Sequence, residues 1–338
     1  MVLKNISKII IPPALSHNIR GFVENLIPPN SRPNRNLEWK DITKLQPRFY
    51  DLVNHHSQFT EDLAGVLENQ SKIVFFQGLN LPEIPNNVIP NTNRNIDSEM
   101  ISNRDMAICK ISTALVMGLI VDPNKEGEIF RAIYPTLESQ GSVSKFDSDK
   151  DLLWHNDGWL KATDELTILA GVKGHEAVKT KVILAKQIIE YFKKKGKEEQ
   201  LKHLMSLTTI AEHSQDFDFE YGKIIDPKTQ EIRFSQYGTF AQHNADSKQK
   251  QAVELLKQFL NEVDPIFCES LQSGDLLILQ NKHSLHARES SESLISGERL
   301  LLRARVEEGG VGIKKALPEA LVTSPKIQNT PKDDSLQK

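Results

Sequence analysis

Three short stretches of the 338-residue chain carry side chains that could do chemistry together. The first is "LLWHNDGWL" (152–160), in which His155 and Asp157 stand two apart. On a strand, residues two apart point to the same side, so this imidazole and carboxylate could meet one cation. The chain has ten His and 45 Asp+Glu, so such a pair also arises by chance, and an exposed polar turn is the plain alternative. The apolar flank "LLW" argues for an interior position, where a His beside an Asp needs a partner or a metal. The second stretch, "SGDLLILQNKHSLHARES" (273–290), runs through an apolar strand into His283 and His286. Either could complete a set of two imidazoles and one carboxylate. With open positions, that set suits a non-haem Fe(II) centre that activates O₂. Three ligands and a water would equally suit zinc, so hydrolysis stays open.

The third stretch, "GERLLLRARVEE" (297–308), places Arg299, Arg303 and Arg305 on one face of a strand. An inward arginine is costly unless it grips an anion, which its forked donors do well. Along a strand Arg299 and Arg303 would stand roughly 13 Å apart, which suits two separate carboxylates better than one. A solvent-facing basic strand paired with Glu298, Glu307 and Glu308 is the competing reading.

The elements that must hold these residues are short. Residues 1–50 are rich in Pro and Asn with weak periodicity. The spacing of Phe59, Leu63, Val66 and Leu67 predicts a helix over 57–70, and the β-branched and aromatic run 72–79 predicts a strand. Residues 82–95 read as loop and 103–119 as a helix. Strand-like runs follow at 128–135, 166–172, 180–185, 207–213, 231–240, 275–282 and 299–308, with helices expected at 184–204 and 247–263. The strands do not alternate with helices as βαβ units would. The expected fold is therefore mainly β with flanking helices, a sandwich or barrel. One domain is expected over 1–308, with an N-terminal elaboration of helix and loop. Residues 309–338, poor in large apolar groups, are expected to be a flexible tail.

Charge is nearly balanced at a net −3, so no large field exists to draw nucleic acid or an anionic membrane. The N-terminal apolar run is broken by Pro12 and Pro13, is too short to span a bilayer and lacks a small-residue cleavage site. A soluble cytoplasmic protein with a small-molecule partner is expected, and homo-oligomers are compatible with the chain. Cys109 and Cys268 have apolar neighbours and are expected to be buried free thiols.

In their order and spacing, "WHNDGW", "GDLLILQNKHSLHAR" and "GERLLLRARV" resemble the clavaminate synthase-like group of Fe(II)/2-oxoglutarate-dependent oxygenases, kin to taurine dioxygenase. The resemblance covers about residues 60–308 and is sharpest at 152–183 and 273–306. It implies a double-stranded β-helix core, that is, a cupin-like jelly roll. It also implies Fe(II), 2-oxoglutarate and O₂, with hydroxylation of an unactivated C–H coupled to release of succinate and CO₂. By this resemblance His155, Asp157 and His286 are the iron ligands, with His286 rather than His283 in the distal place. Arg299 matches the arginine that holds the far carboxylate of 2-oxoglutarate, and Thr180 the threonine that assists it. Arg303 matches the arginine that takes the acidic group of the primary substrate. Gln140 falls where amino acid hydroxylases of the group place a polar substrate contact. Asp157 keeps the carboxylate that a halogenating relative would lack.

Free L-amino acids are the usual substrates that this branch implies. Relatives acting on arginine carry acidic residues on the stretch matching 232–238, where this chain has Ser235, Gln236 and Tyr237. Asp164, Glu165 and Glu138 are candidates to meet a lysine ammonium, and Trp159 to wall the pocket, so lysine is the favoured substrate. A taurine-dioxygenase-like enzyme acting on a sulfonate or another small acid is one alternative. A non-catalytic metal-binding jelly roll is the other.

Overall fold

Elements are numbered along the chain. Strand β2 (Ile73–Gln77) has the run IVFFQ, and its alternate side chains serve two different cores. Ile73 and Phe75 face one apolar layer while Val74 and Phe76 face another, so the strand reads as continuously hydrophobic. The computed structural model describes residues 6–29, 38–86, 89, 103–121, 129–135, 151–158, 164–206, 209–211, 220–236, 238–241, 247–289, 298–307 and 313–322. In it β2 belongs to a six-stranded sheet. The neighbours run β1 (Ile6–Ile10), β2, β11 (Leu276–Gln280), β5 (Asp164–Lys173), β13 (Leu300–Glu307), β3 (Arg131–Ile133). A four-stranded sheet runs β10 (Phe267–Glu269), β6 (Thr180–Leu184), β12 (Ser284–Arg288), β4 (Leu152–His155). The layer between the sheets includes Phe75, Leu169, Leu277 and Leu301 from the first, and Val182 and Phe267 from the second. Facing sheets with flanking helices are the jelly-roll arrangement expected from the sequence. Among the described residues they do not close into a barrel.

Helices cover both outer faces. Helices α1 (Pro13–Leu26), α2 (Trp39–Asn54), α3 (Ser57–Glu68) and α4 (Arg104–Met117) pack with the outer side of the six-stranded sheet. Helices α5 (Ala185–Lys194), α6 (Glu198–Leu204) and α7 (Ser247–Glu262) do the same for the four-stranded sheet, meeting Trp154, Ile183, Leu285 and Ala287. A small sheet of β8 (Glu220–Gly222), β7 (Thr209–Ala211) and β9 (Thr239–Ala241) completes the strands described.

The structure departs from expectation in four places. Residues 6–29 and 38–50 form regular elements: β1 pairs in parallel with β2, and α1 and α2 bury Leu15, Ile19, Ile42 and Phe49. Pro13 opens α1, where its fixed φ suits a first turn, and Pro47 lies inside α2, where it masks the helical signal. The single helix expected over 184–204 is two, because Gly196 takes a left-handed φ of 65° after α5. The run 231–240 gives isolated bridges at Ile232 and Ser235, with a strand only from Thr239. Within the expected tail, residues 313–321 pack against the rest of the chain, with Leu321 buried and the Asn54 amide donating to the Ala320 carbonyl at 2.7 Å. Ile313, Leu317 and Leu321, four residues apart, all join the helix-side core. Both cysteines are free, Cys109 buried and Cys268 half-buried. Among the described residues no helix is long and apolar enough to cross a membrane.

The turn into β11 requires a glycine. Gly274 has φ +85°, and a Cβ there would overlap the Leu79 carbonyl oxygen. Gly274→Ala is expected to cost about 2 kcal/mol or more, read as a lowered thermal unfolding midpoint.

Candidate metal centre

His155 ends β4, and Asp157 lies beyond the strand. The two were expected to share one strand face; side-chain clamps align them instead. Between them Asn156 is stitched to residues 232–234. Its Oδ1 accepts the Phe234 N–H at 2.8 Å, and its Nδ2 donates to the Ile232 carbonyl at 3.2 Å. On the other side Asn281 clasps Asp157 as a neighbouring strand would. Its Oδ1 accepts the Asp157 N–H at 2.9 Å and its Nδ2 donates to the Asp157 carbonyl at 2.7 Å. Thr167 of β5 donates its hydroxyl to Asp157 Oδ2 at 2.9 Å.

His286 lies in the middle of β12, opposite His155 in the antiparallel register. The two rings are 4.3 Å apart between centroids. One donor atom from each of His155, Asp157 and His286 lies within 4.8 Å of the others, and all three residues are buried. No other such group exists among the described residues. Of the two histidines that spacing left open, His286 joins the cluster. His283 sits in the 3₁₀ turn Asn281–His283 and lines a different cavity with Lys72 and Glu165.

The protonation states suit a cation. His155 Nδ1 lies 2.7 Å from the Leu153 carbonyl, which can only accept, so Nδ1 carries the proton and Nε2 keeps its lone pair. Burial, then the neighbouring His155, pulls His286 down to about 3. Burial lowers His155 as well. For Asp157 burial acts upward but is outweighed by His286, Arg303, His155 and the Thr167 hydroxyl, so its carboxyl falls to about 2. Two neutral imidazoles and one carboxylate are the forms that ligate. His286 Nδ1 is buried with no hydrogen-bond partner, a sign that protein groups alone do not satisfy the site. The residues therefore fit a divalent metal with two imidazole ligands and one carboxylate.

Beside the cluster, Thr180, Arg288, Arg299 and Arg303 line the same pocket as His155 and His286. Arg299 is 4% exposed, and its guanidinium has no hydrogen-bond or ion-pair partner among the described residues. Burial, then the neighbouring Arg288, brings its pKa down to about 9. Arg303 points toward the His-Asp-His cluster, with Nη1 3.4 Å from Asp157 Oδ1. Arg305, expected on the same face, is exposed. Arg288 was missed from sequence, although it stands two after His286 on one strand and so shares its face. Asn281 was missed as well, since a side chain imitating a strand leaves no periodic signal. Glu165 does not line this pocket; its carboxylate meets Lys282 Nζ at 2.6 Å. Asp164 begins β5, but its side chain, like Gln140, Glu138, Trp159 and Tyr237, lies outside the described residues.

With this geometry, solved structures offer a comparison of fold. Asparagine oxygenase in complex with Fe(II), (2S,3S)-3-hydroxyasparagine and succinate matches with a TM-score of 0.66 at 13% identity, over 89% of this chain and 93% of that one. The non-heme iron oxygenase OrfP with Fe and alpha-ketoglutaric acid matches with 0.60 at 13% identity, over 89% and 93%. OrfP with Fe, succinate and (3S)-hydroxy-L-Arg gives 0.59 at 14%, over 88% and 93%. The chain has the fold of these oxygenases. No protein-family model matches the sequence, and no curated protein does. The jelly-roll fold implied by the sequence resemblance is thus the one the structure adopts.

Asn281 tests how far the clasp matters. Asn281→Ala removes both hydrogen bonds to the Asp157 backbone, and Fe(II) binding by equilibrium dialysis is expected to weaken about tenfold with the fold retained. Unchanged affinity would show the clasp to be dispensable.

Proposed function

We propose that the chain is an Fe(II)- and 2-oxoglutarate-dependent oxygenase that hydroxylates a C–H bond of a free L-amino acid. One observation carries this reading: a buried guanidinium with no partner among the described residues, Arg299, lines the same pocket as a His-Asp-His cluster. Burying an arginine unpaired is expensive, and a ligand carboxylate removes that cost through two parallel charge-assisted bonds. Zinc hydrolysis gives such an arginine no task, whereas a keto acid with a far carboxylate does. The fold shared with asparagine oxygenase and OrfP supports the same reading.

His155, Asp157 and His286 would hold the iron. When bound together, Fe(II) and 2-oxoglutarate supply O₂ activation, with succinate and CO₂ as co-products. Arg299 and Thr180 fix the far carboxylate of the keto acid, and Arg288 adds positive potential behind it. Arg303 orients the carboxylate of the amino acid near the metal ligands. Thr167 and Asn281 keep Asp157 aimed. Leu169 and Leu301, which line the same pocket, exclude bulk water.

For the side chain of the substrate the support is coarser. Lysine has one fewer acceptor for its ammonium, because Glu165 is already paired with Lys282. The stretch at 235–236 offers Ser and Gln rather than acids. The test is succinate release with Fe(II), ascorbate and 2-oxoglutarate across the twenty amino acids plus taurine. Stimulation by one amino acid supports the reading. Stimulation by taurine alone moves the enzyme to sulfonates, and failure to bind Fe(II) and 2-oxoglutarate removes the oxygenase reading.

A further inference from the structure

A second cavity, of about 230 Å³, lies away from the iron pocket. Its wall includes Lys72, Glu165, Lys282, His283, Lys314 and Lys315. These come from four separate parts of the chain: the turn before β2, the start of β5, the turn between β11 and β12, and the C-terminal segment. Leu166, also in the wall, packs in the helix-side core, whereas Thr167 next to it bonds Asp157. The cavity therefore sits at the outer rim of the six-stranded sheet, across β5 from the metal cluster.

Four lysines there meet one glutamate, in a chain whose net charge is −3. Like charges brought together by folding repel, and a concave site of one sign concentrates counter-ions. Lys314 donates to the Gly118 carbonyl at 2.5 Å, so the site leans on Lys72 and Lys315. Lys72 donates to Gln280 Oε1 at 2.7 Å, and an ammonium has three donors. Lys315 is exposed and has no partner among the described residues. Lys282 is matched by Glu165. Burial disfavours the charge of Lys72, with Glu231 acting weakly the other way, so an added anion would stabilise that ammonium. The volume falls below the roughly 300–1,000 Å³ of drug-sized sites, so the occupant must be small.

We propose that this cavity binds a small polyanion, a ligand presenting two or more negative oxygens as inorganic phosphate or a tricarboxylate does. The ligand would rest against Lys282 and His283, in the same three-residue turn whose Asn281 clasps Asp157. The proposal does not depend on the oxygenase reading.

Calorimetric titration of the metal-free full chain at low ionic strength, with inorganic phosphate and separately with tricarballylate, tests it. The expected result is saturable one-to-one binding of at least one of the two. That binding should weaken tenfold or more in a Lys72→Gln/Lys315→Gln variant and be unchanged in Arg299→Ala. Phosphate alone or tricarballylate alone would name the oxygen chemistry recognised. If the double variant unfolds at lower temperature, Lys315→Glu alone, at an exposed position, should still weaken binding several-fold. Three results overturn the proposal: no saturable binding of either anion, binding insensitive to the lysine changes, or binding lost in Arg299→Ala, which would place the anion in the iron pocket.

Discussion

His286→Ala is expected to abolish Fe(II)-dependent succinate formation and to weaken Fe(II) binding by more than about 100-fold, beyond the loss typical of a group that only supports a ligand. His283→Ala is expected to keep most of both. The two histidines are three residues apart, yet the 3₁₀ turn sends them to different places. His286 faces His155 across the β12–β4 pairing, while His283 lies in the lysine-lined cavity, where burial and then Lys72 lower its pKa. Rates and equilibrium dialysis on both variants check this. Loss of iron in His283→Ala with retention in His286→Ala would mean that the cluster of 155, 157 and 286 is not the metal site.

Arg299→Ala carries the second large effect. Its guanidinium is buried with no partner among the described residues, so none of them competes with a ligand carboxylate for it. Losing a charge-assisted pair costs about 2–3 kcal/mol, or roughly 30- to 150-fold in the concentration of 2-oxoglutarate required. The amino acid requirement should change little. Arg303→Ala should do the opposite, raising the amino acid requirement while leaving that for 2-oxoglutarate within about threefold. A stability measurement separates ligand binding from a scaffolding role. Removing a buried charge that no described residue pairs relieves a desolvation cost, so the thermal midpoint of Arg299→Ala should equal or exceed that of the parent. A large fall in that midpoint, or equal effects of both variants on both requirements, would break the assignment of two carboxylates to two arginines.

Much of this was legible because strands buried on both faces write themselves as apolar runs. The strands at 73–77, 276–280 and 300–307 all lie inside their expected ranges. What the sequence hid has physical causes. Pro47 inside α2 breaks the apparent helical pattern, and Gly196 ends α5 within a stretch of good helix formers. Asp157 reaches the metal cluster through Asn156 and Asn281, whose amides stand in for backbone, and no periodicity reports such a bond. The arginine face was correct for two of three: Arg299 and Arg303 turn inward, whereas Arg305 is exposed. Glu165 looked available for an ammonium because its partner, Lys282, is 117 positions away.

Strand β12 pairs with β6 so that His286 lies opposite Val182 and Arg288 opposite Thr180. Leu285 and Ala287 point the other way, into the helix-side core. Sliding β12 by a single residue would exchange these two sets, turning imidazole and guanidinium outward and methyl groups toward His155 and Asp157. A one-residue insertion or deletion between Asn281 and Arg288 would thus disarm the clasp, the distal imidazole and the rear arginine in one stroke, so this octet can change by substitution but not by length.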